Sequence, residues 1–191
     1  MARAPGYTLV ELMLVVAVLG ALALVAVPSS APGADQRLDA AAQEVIDALR
    51  YARVEAMRTG TYHGVDFSVD VASGERRVRV FRTDTAVPPN PVYDVIHPLA
   101  KKLYDNRLSG SSATAGVSLS AATLYYRTGA AAPFALDWAA FDAAGMPEYH
   151  PDAANYAAYS TSPDISAVTL TYRGKSVQVR LDPVTGRVTR N

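Results

Sequence analysis

Glu11 is the one charged side chain in a run of 21 residues, YTLVELMLVVAVLGALALVAV, from Tyr7 to Val27. A carboxylate at the centre of a membrane helix costs on the order of 2.5–3.5 kcal/mol to insert, so an acid kept there asks for a partner charge. A cut between Gly6 and Tyr7 supplies one. Tyr7 then carries a new α-ammonium, and Glu11 becomes the fifth residue of the shortened chain, about one helical turn away. When such helices pack side by side, the Glu11 of one chain meets the ammonium of its neighbour. Two charges that are costly apart then neutralise each other at low dielectric. If the chain is cut there, the chemistry these residues can do is a charge pairing between chains.

The remaining reactive residue types point to no catalysis. There is no cysteine, which excludes disulfides, thiolate metal sites and cysteine nucleophiles. His63, His97 and His150 are too widely spaced to form a metal-ligand motif and read as surface or half-buried residues. No serine sits in a glycine-flanked elbow, no glycine-rich phosphate loop is present, and the carboxylates are scattered singly. Asp182-Pro183 reads as a turn rather than a calcium ligand. No catalytic residue, cofactor or metal is expected. The formal net charge is zero, so no bulk excess points to a highly charged partner. Two basic clusters stand out nonetheless: Arg76, Arg77, Arg79 and Arg82, and then Arg173, Lys175, Arg180, Arg187 and Arg190 against Asp182 alone in the last nineteen residues.

These residues need elements to position them. As a helix, residues 7–27 extend roughly 32 Å, enough for a hydrocarbon core of about 30 Å. Arg3 is the only charge before Glu11, which leaves the amino terminus in the cytoplasm and the rest of the chain outside the membrane. Two plainer readings compete: a secretory signal cut near Ser29-Ser30-Ala31 or Pro32-Gly33-Ala34, and an uncleaved anchor. Neither has a use for Glu11. Beyond Pro28 and the stretch to Gly33, residues 35–59 form an amphipathic helix with a stripe of Leu38, Ala42, Val45, Leu49, Ala52 and Ala56, stopped by Gly60. Residues 60–191 read as a β-rich head, making the chain α+β. Strands are expected at Tyr62–Val71 and Arg76–Arg82 around a turn at 72–75, at Val117–Arg127 and at Phe134–Phe141. Ala167–Tyr172 and Ser176–Leu181 form a hairpin through Arg173-Gly174-Lys175, followed by a turn at 182–186 and a last strand, Arg187–Arg190. Val87–Pro98 and Leu108–Gly116 are loops, and Asp142–Pro163 is a long surface excursion.

Gly6-Tyr7-Thr8-Leu9-Val10-Glu11-Leu12 resembles the prepilin processing site of type IV pilins and type II secretion pseudopilins, with tyrosine where that family usually has phenylalanine. The resemblance implies a leader of residues 1–6, cut by a membrane prepilin peptidase that then methylates the amine of Tyr7. It also implies an assembly role for Glu11 and a bend of the stem helix at Pro28, the twenty-second mature residue. Three later stretches resemble the GspH/FimT group of minor pilins and pseudopilins: Leu49-Arg50-Tyr51-Ala52-Arg53-Val54-Glu55-Ala56, Phe141-Asp142-Ala143-Ala144-Gly145-Met146-Pro147, and the run from Val179 through Pro183, Thr185 and Gly186 to Val188. Residues 83–120 match nothing in that group. The implied protein is a single-pass component of the bacterial inner membrane with a periplasmic head. It would join a pilus or secretion pseudopilus near the tip, with other pilins and an inner-membrane assembly platform as partners. Some FimT-like pilins bind DNA through a carboxyl-terminal G-R-x-R. Here Gly186-Arg187-Val188-Thr189-Arg190 has one residue more between the arginines, which in a strand moves the second to the other face. DNA capture by Arg173, Lys175, Arg180, Arg187 and Arg190 is the alternative function.

Overall fold

The computed structural model describes residues 8–26, 33–84, 90–127, 134–149, 157–159 and 166–191. The chain divides into two compact units, Met1–Pro32 and Gly33–Asn191. In the first, α1 runs from Leu9 to Ala26. Thr8 starts it: its hydroxyl accepts the Glu11 N–H at 3.3 Å and its carbonyl accepts from Glu11 and Leu12 at 3.1 and 3.2 Å. Thr8-Leu9-Val10-Glu11 thus has the T-x-x-E spacing of a helix start, and an acid in the first turn suits the positive end of the helix dipole. Among the described residues no helix is long and apolar enough to cross a membrane. Over its 18 described residues α1 extends about 27 Å, and both ends of the expected 7–27 span lie outside the described residues.

The second unit is α+β. Its helix α2, Ala34–Thr59, starts after Gly33, whose N–H donates to Gln36 Oε1 at 3.1 Å, and stops at Gly60. Gly60 takes a φ of +69°, a conformation glycine adopts without steric cost, and its N–H closes on the Ala56 carbonyl at 2.9 Å. All six residues of the expected stripe are buried, and Ala41, Ile46 and Ala48 are buried with them. The face is wider than a single stripe because two sheets cover it. Five of its nine buried residues are alanines, which let the backbone of α2 come close to both.

The first sheet has the order β3-β2-β1-β7, with β1 His63–Asp66, β2 Val78–Thr83, β3 Pro91–Val92 and β7 Trp138–Phe141; β4, Asp105–Asn106, also pairs with β2. The second has the order β12-β11-β10-β5-β9-β8, with β5 Ser118–Arg127, β8 Glu148–Tyr149, β9 Ala157–Tyr159, β10 Ala167–Tyr172, β11 Lys175–Leu181 and β12 Val188–Arg190; β6, Phe134–Leu136, pairs with β5. All pairings are antiparallel. Helix α2 packs on β1, β2 and β7 of one sheet and on β10, β11 and β12 of the other. Val65, Phe67, Val80 and Phe141 face it from the first sheet, and Val168, Leu170, Val179 and Leu181 from the second.

The expected strand over Phe134–Phe141 breaks at Asp137, and its halves join different sheets: β6 pairs with β5, β7 with β1. The Asp137 carbonyl accepts the Phe67 N–H at 2.7 Å at this crossing. As the edge strand of its sheet, β7 presents an unpaired amide at Ala140, and this donates at 3.0 Å to the hydroxyl of Tyr126, a fully buried residue of β5. The expected strand Tyr62–Val71 shortens to β1 plus a single bridge, Val69 to Arg76. The expected loop Val87–Pro98 contributes Pro91 and Val92 to the sheet edge, where a proline costs no ladder bond. Within Asp142–Pro163, β8 and β9 pair where only a surface excursion was expected. The hairpin β10–β11 turns through Arg173 and Gly174 alone, at φ +49° and +79°, so Lys175 joins the strand opposite Tyr172.

Candidate functional site

Gly6, Tyr7 and Pro28 lie outside the described residues. Glu11 sits in the first turn of α1, exposed, with no ion-pair partner among the described residues. Its neighbours on the helix are bare as well: Leu9, Val10, Met13 and Val16 each expose about two thirds of their surface or more. A helix that is apolar on all sides needs a non-aqueous cover, either lipid or other helices. The first candidate site is therefore the α1 surface with its one unpaired acid.

A second site gathers the three carboxyl-side sequence stretches at one point. Arg53 of α2 donates through Nε to the Gly145 carbonyl at 2.9 Å and through Nη1 to the Gly186 carbonyl at 3.4 Å. The Asp142–Met146 loop and the Asp182–Gly186 turn are thereby clasped to the helix. Both glycines have positive φ, +76° and +65°. A Cβ on Gly145 would stand 2.9 Å from Met57 Sδ and 3.1 Å from Arg53 Nε, so the guanidinium occupies room that only glycine leaves. Each loop is also shaped by its own aspartate. Asp142 Oδ1 accepts the amides of Ala144 and Met146, and Asp182 Oδ1 accepts the Val184 and Thr185 amides and the Thr185 hydroxyl. The Thr185 amide and hydroxyl hold the Asp182 carboxyl below its usual range. Asp182 is the turn residue that its place before proline implied. Sequence reading marked all three stretches but gave Arg53 no role, since the carbonyls it binds are 92 and 133 residues away.

The basic clusters are largely taken up by acids. Arg76 lies 3.5 Å from Asp137, Arg77 bonds Asp70 at 2.8 Å and Asp105 at 2.7 Å, Arg79 bonds Asp66 at 2.7 Å, and Arg82 grips Asp94 at 2.6 and 2.8 Å. Of the carboxyl-terminal set, Lys175 pairs with Asp35 at 2.8 Å and Arg190 with Asp39, so β11 and β12 are tied to the first turns of α2. Arg180 bonds Gln178 at 3.1 Å, and Arg173 lies over the Tyr172 ring at 5.3 Å. Arg187 is exposed in the turn before β12, with no ion-pair partner among the described residues.

His63 is buried in β1, against expectation, with Nδ1 3.1 Å from the Thr61 carbonyl. His97 accepts the Leu99 and Ala100 amides in a loop, and His150 lies outside the described residues. Among the described residues no three His, Asp or Glu side chains gather where they could hold a metal ion.

Residues 1–27 match the family model of the prokaryotic N-terminal methylation motif. That match supports a prepilin-like amino terminus, of the kind found on proteins that a prepilin peptidase processes and that assemble with other pilins. No curated protein and no solved structure matches the chain.

Proposed function

We propose that the chain is a minor pilin or pseudopilin of the GspH/FimT type. Prepilin peptidase removes residues 1–6 and methylates Tyr7. Helix α1 holds the subunit in the bacterial inner membrane with the head in the periplasm. From there the assembly platform passes it into a type IV pilus or a type II secretion pseudopilus, near the tip. The observation that carries this reading is Glu11, an acid with no ion-pair partner among the described residues, in an otherwise apolar helix and inside the matched methylation motif. A carboxylate without a partner among the described residues acquires one when the amine of a neighbouring chain arrives, and the same pair fixes the register of subunit addition. The bare flanks of α1 supply the packing surface.

The test is Glu11→Ala in cells that assemble the filament. The variant is expected to lose its leader as the parent does, yet to stay in the membrane fraction and be missing from sheared filaments. Incorporation at the parental level overturns the pairing. Capture of DNA draws less support, because Lys175 and Arg190 are engaged by Asp35 and Asp39.

A further inference from the structure

The face of the first sheet turned away from α2 carries a cleft of about 320 Å³. Register across three strands builds it: Asp66 of β1 stands opposite both Arg79 of β2 and Trp138 of β7, while Gly64 stands opposite Phe81. Gly64 is required there, since a Cβ would meet the Phe81 ring at 2.5 Å and also strike the Ala139 carbonyl. The Phe81 ring fills the space that glycine leaves. Tyr93 and Trp138 stand steeply to it, at 63° and 83°, with ring centroids 6.0 and 6.3 Å away. Pro91 closes one side. Among the described lining residues, the charged groups are the carboxylates of Asp66 and Asp137.

The two acids are not equivalent. Asp66 is saturated: it accepts from Arg79 and the Tyr93 hydroxyl, each at 2.7 Å, and from the Ser68 amide at 2.7 Å. Asp137 is 39% exposed, and its ion pair with Arg76 is 3.5 Å long. Arg76 directs the same Nη1 at the Phe67 carbonyl at 2.9 Å. Asp137 is therefore the more open of the two acids.

We propose that this cleft binds an organic cation, its alkylammonium head against Asp137 and its methyl or methylene groups against Tyr93, Trp138 and Pro91. Aromatic faces attract a cation through their quadrupole, and a carboxylate at the rim adds a charge of the right sign. Each carboxylate has its own arginine, Arg79 on Asp66 and Arg76 on Asp137, and Arg79 also lies over the Tyr93 ring at 4.7 Å, so the more loosely paired Asp137 is the acid that a cation would meet. An alkylammonium arrives as a quaternary head on a free small molecule such as choline or as a primary one on a lysine side chain of another protein, and the two are separable by experiment.

Trp138 is the chain's single tryptophan, so its fluorescence reports on the cleft without a label. The full-length protein in a neutral detergent is titrated with choline, with its uncharged isostere 3,3-dimethylbutan-1-ol, and with Nα-acetyl-lysine methylamide. Saturable change with choline and none with the isostere is expected. Asp137→Asn keeps the tryptophan and the side-chain shape, and should weaken choline about fivefold to tenfold, as loss of one charge contact at a partly exposed site would. Tighter binding of choline identifies a small-molecule site, and tighter binding of the lysine amide identifies a protein side chain. Equal response to choline and its isostere, no response to any cation, or unchanged affinity in Asp137→Asn overturns the proposal.

Discussion

Replacing Arg53 by alanine removes the one side chain that joins α2 to both the Asp142–Met146 loop and the Asp182–Gly186 turn. Its bond to the Gly145 carbonyl is short, 2.9 Å, partly buried and donated by a charged group. Bonds of that kind contribute about 1.5–3 kcal/mol, and the 3.4 Å contact to Gly186 adds a little more. The expected loss is about 2–3 kcal/mol, which for a chain of this size lowers the melting temperature by roughly 5–10 °C. Thermal unfolding of the full-length protein, followed by Trp138 fluorescence, measures it. Arg50→Ala, on the exposed face of the same helix, serves as the control. Lysine at position 53 should fall between parent and alanine, because one ammonium cannot span two carbonyls as the guanidinium fork does. A melting temperature for Arg53→Ala within about 1 °C of the Arg50→Ala control would refute the clasp.

The Asp182 carboxyl is held low by the Thr185 amide and hydroxyl, and that of Asp94 by its bond to Arg82. A depressed carboxylate stabilises the fold above its unfolded pKa of about 3.9 and loses that contribution as pH falls through the folded value. Melts should therefore change little from pH 7 to 5 and drop below pH of about 4, and Asp182→Asn should show a shallower acid drop than the parent. Gly64→Ala should cost about 3 kcal/mol, since the new methyl meets the Ala139 backbone as well as the Phe81 ring. Its melting temperature should fall further than that of Gly33→Ala, where a Cβ meets nothing within 4 Å and φ is −62°.

Where the sequence pattern was local, the fold could be read from it. The stripe from Leu38 to Ala56, the stop at Gly60 and the closing hairpin are set by residues a few positions apart, and each lies where periodicity and turn chemistry put it. What escaped depends on distant pairings. Phe134–Phe141 alternates like one strand, yet Asp137 sends its halves to two sheets, a choice fixed by β1 and β5 rather than by the segment itself. The arginine-rich clusters looked like free positive surface because their partners, Asp94, Asp105 and Asp137 for one and Asp35 and Asp39 for the other, are remote in sequence. The aromatic cleft was invisible for the same reason: Tyr93 lay in an expected loop, and only strand register brings Phe81 and Trp138 beside Asp66. The convergence of Arg53, Gly145 and Gly186 had a signal, since all three stretches had been marked. Two glycines destined for positive φ beside one long cation was the clue.

Glu11 needs a neighbour's amine, and that amine exists only if the chain is cut after Gly6. Mass analysis of the amino-terminal peptide, from protein isolated from cells that carry a prepilin peptidase, tests this most directly. The account predicts a first residue of Tyr7 bearing one added methyl group. A peptide beginning at Met1, or at any residue from Ser30 onward, would contradict it.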